Sequence, residues 1–495
     1  MNVRRAAELM GAAAEAVSAE LLEREIAGFA IDSRETEKGE LFFAISQEDY
    51  TRAGFNGTFA DGHLFIRQAF ESGAIAAVAH AARVHEDEDL RALSDRLLLV
   101  DDAIAALQRL ARKIYEEWGR PVIAITGSAG KTTAKELTAH LLTATGRRVL
   151  KSERNYNNGL GLPLAVLQMV TKGNTPEQYD LAVLEMGMSS PTHEIERLCK
   201  ITPPDIGVEL LVAPVHLEYL GTIENIAAAK AELVQGLKAG GAAVLNADDA
   251  RVLAMRGLHD GPTITFGIEH EADVTASGID TTRFGRSSFR LRTPLGEAQA
   301  ILPIPGRHNL MNALAASAVA TVLNIGPEEI ARALRHAKPP HMRGEVLDFE
   351  AGFTLVDDSY NSNPRSLLSM VRTIAGGEAQ AVRHIVIAGE MLELGPQEVE
   401  MHREAGREIA RAGIDMLWGV RGLAQEIIRG AREAGMSETQ FFETSEEAAA
   451  ALVTQVRAGD LILVKGSRGV QTDKVVKMLC DRFPLEQSGV QSQES

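Results

Sequence analysis

Cysteine is nearly absent from this chain: Cys199 and Cys480 are the two among 495 residues. They stand far apart with no ligand-like spacing, which argues against a disulfide framework and against a cysteine-bound zinc. Long apolar runs are missing as well. No uninterrupted stretch approaches the ~18 residues of a membrane span. Beyond the basic Arg4 and Arg5, the acidic Glu8, Glu15 and Glu20 interrupt the chain, so no signal-peptide core is read. Positive charge is in short supply, with 51 Lys and Arg against 68 Asp and Glu and a formal charge of −17. That balance disfavours nonspecific binding to nucleic acid or to an anionic membrane surface. A local cluster of Lys and Arg can still serve an anionic substrate. A cytoplasmic protein is expected, with no nucleic-acid partner and no membrane insertion. What is present is ordinary for a globular chain, 45% apolar and 24% charged residues, in a length that implies about two to four domains.

Three blocks are read along the chain. Residues 1–119 mix short strands such as Leu41 to Ile45 with helical stretches such as Ala103 to Trp118, and Gly119 and Pro121 end that helix. Residues 120–338 alternate apolar strands (Val122 to Ile125, Leu181 to Leu184, Ile206 to Val208, Ala242 to Leu245) with helices from about Thr133 to Thr145 and Ile226 to Leu237. This is the alternation of a parallel sheet wrapped by helices. A polar portion from Thr263 to Ile304 is expected to be antiparallel, followed by an alanine-rich helix over Asn309 to Leu323. Lys338-Pro339-Pro340 opens residues 339–484, where Phe353 to Val356, Ile385 to Ala388, Met416 to Val420 and Leu461 to Val464 read as buried strands of a second, smaller doubly wound sheet. Residues 485–495 are polar and expected to be disordered. The fold class is therefore α/β in three domains: an α/β N-terminal domain, a central parallel-sheet domain with helices on both faces, and a smaller Rossmann-like C-terminal domain.

The chemistry is most legible at Gly127-Ser128-Ala129-Gly130-Lys131-Thr132-Thr133, between an apolar strand and a helix. A strand, a glycine turn and a helix N-terminus make an anion site: backbone N–H groups close around phosphates, Lys131 adds a charge, and the Thr132 hydroxyl can bind Mg²⁺. ATP is thus the expected cofactor. The common phosphate loop has a glycine where this chain has Ile125, so the turn is one glycine shorter than in most nucleotide switches and motors.

Other candidates are weaker alone. Glu185 ends a buried strand, where ligands of parallel sheets lie, and could hold Mg²⁺; it could equally cap the following turn. His216 also follows a strand-like run and could be a structural histidine. Lys230, within a helix, reads by itself as a solvated lysine. Asp357-Asp358-Ser359-Tyr360-Asn361-Ser362-Asn363-Pro364 follows a strand and is either a plain loop or a recognition loop, and Gly389-Glu390-Met391-Leu392-Glu393-Leu394-Gly395 follows the next. Both lie at carboxyl ends of strands and would face one crevice.

Together with Asn155 to Pro163, Leu184 to Gly187, His216, Lys230 and Gly306-Arg307-His308-Asn309, these motifs resemble the Mur ligases of peptidoglycan synthesis, over about Asp32 to Gly469. The Tyr360 and Glu390 segments resemble the member that adds D-alanyl-D-alanine, although Glu390 stands where Asp is more usual. The resemblance implies ATP and Mg²⁺ as cofactors, and a UDP-N-acetylmuramoyl-tripeptide and D-alanyl-D-alanine as substrates. It further implies nucleotide contacts from residues 127–133, Asn309 (adenine), Arg343 (terminal phosphate) and Asp358 (ribose). Metal contacts are implied for Thr132, Glu185, His216 and a carbamylated Lys230, and catalytic work for Lys131, Lys230, His216 and Arg343. Asp32, Ser33 and Arg34 resemble the uridine-nucleotide segment; Asn155, Asn158, Tyr360, Asn361, Asn363 and Ser467 are the remaining substrate candidates. A monomer is expected. Folylpolyglutamate synthases share the loop but lack the Tyr360 segment, and a nucleotide-driven switch would make no new bond.

Overall fold

The computed structural model describes residues 1–153, 155–188, 193–214, 220–281, 285–376 and 381–486. Contacts divide the chain into two compact units, one of Met1–Gly127, Leu142–Val212 and Glu224–Ile264, the other of Ser128–Leu141, Ala213–Ile223 and Thr265–Ser495. Three sheets carry the architecture. The first holds β1 (Gly28–Ala30), β2 (Glu40–Phe43), β3 (Ala76–His80) and β4 (Leu97–Val100), in that order and all parallel. The helix Ala103–Trp118 occupies the span expected of it. Its start is fixed twice: the Asp102 side chain accepts from Ala105 N at 2.8 Å and Asp49 Oδ2 from Ala103 N at 3.2 Å. These bonds satisfy N–H groups that no helical carbonyl can reach.

The second sheet runs β13-β12-β11-β10-β9-β8-β5-β7-β6. Its strands are β5 (Val122–Thr126), β6 (Val149–Lys151), β7 (Leu181–Glu185), β8 (Ile206–Glu209), β9 (Ala242–Asn246), β10 (Thr263–Gly267), β11 (Val274–Asp280), β12 (Ser287–Thr293) and β13 (Gly296–Leu302). Strands β5 to β9 pair in parallel, and β5, β7, β8 and β9 are buried along their whole length, as strands covered on both faces must be. The portion expected to be antiparallel throughout is so only for β11–β12 and β12–β13; β10 runs parallel to β11. At the start of that pair, Asp273 Oδ2 accepts from both the N–H and the hydroxyl of Thr265 at 2.7 Å, which ties the two parallel strands together.

The third sheet has the order β14-β15-β19-β16-β17-β18, from β14 (Glu345–Asp348), β15 (Thr354–Asp357), β16 (Arg383–Gly389), β17 (Met416–Val420), β18 (Thr439–Phe442) and β19 (Asp460–Lys465). Only β14 is antiparallel to its neighbour. The four strands read from the sequence are present. Strands β14 and β18 escaped notice because they are four residues long and mostly half-exposed, each with only two adjacent apolar residues to mark it. Alternate residues of one strand enter opposite cores. Leu461 and Leu463 pack with Leu367, Met370 and Ile409, whereas Ile462 and Val464 pack with Leu452, Val475 and Leu479. Helices therefore cover both faces. The chain closes with Leu485 bridged to Phe349 and Glu486 N bonded to Asp348 O at 2.9 Å, so the disorder expected from Leu485 does not begin there; residues 487–495 lie outside the described residues. Among the described residues no helix is long and apolar enough to cross a membrane.

Two helices after this sheet's β16 and β17, Glu398–Arg411 and Ala424–Glu433, touch backbone to backbone at a glycine pair. A Cβ on Gly406 would lie 1.9 Å from Ile427 O, and one on Gly430 would lie 1.9 Å from Arg403 O. The first of these helices also pins the Gly389 to Gly395 loop. His402, 0% exposed, accepts from Met391 N through Nε2 at 2.9 Å, while its Nδ1–H donates to Glu398 O at 2.6 Å. That arrangement needs the neutral ring, and burial lowers its pKa from the ordinary 6.5. The unfolded chain therefore binds this proton more readily than the folded one, and the contribution is present above the ordinary value and lost as pH falls through the lowered one. Urea midpoints of the wild type should decline between about pH 7 and 5, and a His402→Gln variant should show a shallower decline over the same range.

Candidate active site

The phosphate loop begins where β5 ends. Gly127 and Gly130 adopt φ +149° and +87°, and a Cβ on Gly130 would meet Asn312 Oδ1 at 2.4 Å, so only glycine satisfies both the turn and the close approach. Ser128 is bound on both sides: its hydroxyl oxygen accepts from Ala213 N at 2.9 Å and its O–H donates to Ala213 O at 3.0 Å. The helix starts at Lys131, two residues earlier than the sequence suggested, with Ala134 N bonded to Gly130 O at 2.8 Å. Lys131 and Thr132 are half-buried in its first turn, Ala129 is half-buried just before it and Thr133 is buried behind them. Positive φ at the loop and a helix N-terminus after it together aim N–H groups at an anion.

From this loop a continuous path of contacts runs through the same unit. Asn312 lies against Gly130 and its Nδ2 donates to Asn309 Oδ1 at 3.4 Å; both sit on the helix Arg307–Val322. Asn309 is anchored to Pro305 O at 2.7 Å, and its Nδ2 is 3.5 Å from where a Cβ on Gly344 would stand. Beside Gly344, Arg343 lays its guanidinium over the Tyr360 ring, 4.1 Å from the centroid. Tyr360 belongs to the loop after β15, as does Asp358. Asp358, 7% exposed, pairs with Lys465, 3% exposed, at 2.6 Å, and the same ammonium donates to Asn361 O at 2.9 Å.

Several further polar groups of these loops bind within the same unit. Asn363 Oδ1 accepts from Ser366 N at 2.9 Å and so caps the helix Pro364–Gly376, while Asn361 Oδ1 accepts from Ser362 N at 2.9 Å. Ser467 accepts from Leu392 N at 2.9 Å and donates to Ser362 O at 3.4 Å. Glu390 Oε1 accepts from Leu423 N at 2.9 Å, a use of its carboxylate that ties the loop after β16 to the one after β17. Asp357 is buried, which pushes its carboxyl up from the ordinary value despite the bonds from the Ser359 hydroxyl and N–H.

In the other unit, Glu185 closes β7 and is 3% exposed; its Oε1 accepts from Asn157 Nδ2 at 2.8 Å and its N–H donates to Ser152 Oγ at 3.1 Å. Lys230, on the helix Ile223–Gln235, is 2% exposed, which removes the reading of a solvated lysine. Asn158 caps the helix Gly161–Leu167 through bonds from Leu160 N and Gly161 N, and Asn155 is exposed beside it. Asp32 and Arg34 bind each other through two nitrogens, and the guanidinium holds the Asp32 carboxyl below its usual range; Ser33 donates to Gln68 Oε1 at 3.3 Å. His216 lies outside the described residues. Asn157, Asn312 and Lys465 stand within motifs read from the sequence but were given no role there.

Family models match twice: the Mur ligase middle domain over residues 125–320, and the Mur ligase, glutamate ligase domain over residues 342–468. The chain is 34% identical over 457 residues to UDP-N-acetylmuramoyl-tripeptide--D-alanyl-D-alanine ligase of Bacillus subtilis (strain 168), covering 92% of this chain and 93% of the relative. The enzyme of the same name from Escherichia coli (strain K12) is 32% identical, with 90% and 92% covered. Among solved structures, MurF from Acinetobacter baumannii superposes with a TM-score of 0.78 at 27% identity, covering 92% of this chain and 94% of that one. MurF ligase from Thermotoga maritima in complex with ADP gives 0.75 at 28% identity, covering 91% and 96%. With sequence likeness along nearly its whole length to such relatives, the chain belongs to the Mur ligase family.

Proposed function

We propose that the chain is an ATP-dependent ligase that adds D-alanyl-D-alanine to UDP-N-acetylmuramoyl-tripeptide in the synthesis of peptidoglycan precursor. One observation carries this reading: relatives bearing that activity in their names match 92% and 90% of the chain at 34% and 32% identity. The phosphate loop and its path of contacts to Asp358 supply a place for the nucleotide. Lys131 and the N–H groups around it bind the phosphates, Asn309 the adenine, Asp358 the ribose and Arg343 the terminal phosphate. Asp32, Ser33 and Arg34 are assigned to the uridine nucleotide. Residues 1–119, 120–338 and 339–484 are taken as the three domains. The chain works as a monomer in the cytoplasm, where ATP and nucleotide-linked precursors are found.

A carboxylate is a poor acyl donor, because its oxygen does not leave. The tripeptide's terminal carboxylate accepts the γ-phosphoryl group and ADP departs. The dipeptide's amine then adds to the acyl carbon, gives up a proton, and phosphate leaves with the old bonding pair. Negative charge gathers on the phosphoryl oxygens during transfer, so Lys131 and Arg343 contribute most by meeting it in place. The acyl phosphate must also meet the amine before water does, which a closed site ensures.

The residues suit Mg²⁺. Taken unit by unit, Thr132 offers a hydroxyl in one and Glu185 a buried carboxylate in the other, each a donor of the oxygen type this ion prefers. His216 is the further ligand proposed from the family pattern. A buried lysine amine at residue 230 does not fit a cation, but its carbamate would present an anionic oxygen pair. When bound, the ion would neutralise phosphate charge.

The decisive experiment is mass spectrometry of products from a panel of UDP-muramoyl peptides and dipeptides with ATP. A product extended by D-alanyl-D-alanine, formed only with both substrates, is expected; nucleotide hydrolysis without a longer peptide would refute the assignment. Lys131→Ala should lower kcat at least ~10²-fold, the scale of one lost transition-state charge partner. Lys230→Ala should be inactive yet partly restored by added small carboxylic acids; full turnover without them would end the carbamate assignment.

A further inference from the structure

We infer that Tyr360 is a positioning residue for Arg343, and that its ring, not its hydroxyl, does this. The inference rests on the proposed contact of Arg343 with the terminal phosphate. Arg343 has no carboxylate partner among the described residues; its guanidinium carbon instead lies 4.1 Å from the Tyr360 centroid, with that of Arg468 at 5.9 Å from the same ring. The Tyr360 hydroxyl makes no hydrogen bond among the described residues, so the ring carries the side chain's contacts. The backbone supports the same pairing. Tyr360 N donates to Met342 O at 3.2 Å, and Gly344 N donates to Asp357 O at 2.8 Å. The turn between them is tight, with φ of +62° at Met342 and +80° at Gly344.

An aromatic face suits this task. A carboxylate would orient the guanidinium but cancel its charge, whereas the ring quadrupole holds the planar cation and leaves its N–H edge and full charge for phosphate. Tyr360, a substrate candidate in the sequence, would then influence phosphoryl transfer without touching the incoming dipeptide.

The test is steady-state kinetics of Tyr360→Phe, Tyr360→Leu, Arg343→Ala and the Arg343→Ala/Tyr360→Leu double variant in the full chain, with ATP, the tripeptide precursor and D-alanyl-D-alanine. Tyr360→Phe should retain kcat within about twofold and Tyr360→Leu should lose about tenfold, the scale of one cation–π contact. The KM for the dipeptide should stay within about twofold in both, since only uniform binding losses raise it alone. The double variant should be no slower than Arg343→Ala, because the ring has nothing left to position. Equal losses in the Phe and Leu variants, a selective rise in dipeptide KM, or additive losses in the double variant would each overturn the inference while leaving the assigned activity standing. Wild-type turnover in Arg343→Ala would overturn the phosphate contact and the inference together.

Discussion

The ion pair of Lys465 and Asp358 holds the C-terminal loops in place. Both groups are almost wholly buried, at 3% and 7% exposure, and stand 2.6 Å apart. Taking such charges out of water costs several kcal/mol per ion, about as much as their attraction returns, so the pair is a poor source of net stability. Its value is geometric. Either partner alone would be an uncompensated charge in the protein, and the loops are therefore confined to arrangements in which the two meet. Lys465 ends β19, which lies between β15 and β16 in the sheet. It reaches one way to Asp358 and Asn361 O, while Ser467, two positions on, reaches the other way to Leu392 N. Parallel strands deliver all three loops to one edge; this central strand stitches them.

A second set of contacts orders the glycine turn after β5 and the turn at Arg343. The helix Arg307–Val322 presents Asn312 to Gly130 and Asn309 to the vicinity of Gly344, so one rigid element spaces the phosphate loop from the turn that bears Arg343. Side chains on a helix hold such spacings better than side chains on loops. The amide groups also bond to each other and to Pro305 O, which satisfies polar groups that burial would otherwise penalise.

Much of this was legible in the sequence for a physical reason. Parallel strands covered on both faces need a continuous apolar run, so β5, β7, β8, β9, β16, β17 and β19 declared themselves, and the motif loops followed at their carboxyl ends. What stayed hidden depended on partners remote in the chain. Strands β14 and β18 are short, with only two apolar residues each and pairing supplied by the rest of the sheet. The parallel course of β10 beside β11 is a pairing that no local pattern marks. Lys230 has the sequence of a solvated helix residue, and only the packing around it reveals 2% exposure. Asn363 and Asn158 drew notice as polar loop residues, yet their side chains cap helices, a local task that composition does not separate from ligand contact. Lys465 meets Asp358 across a separation of 107 residues, which no local pattern encodes.

The double bond between Ser128 and the main chain of Ala213 has an entropic consequence. A glycine turn left to itself samples many shapes, and a nucleotide arriving there must select one or wait for it. Here a single hydroxyl fixes the turn from both its donor and acceptor sides. The entropy of ordering this turn is thus met during folding rather than when an anion is captured.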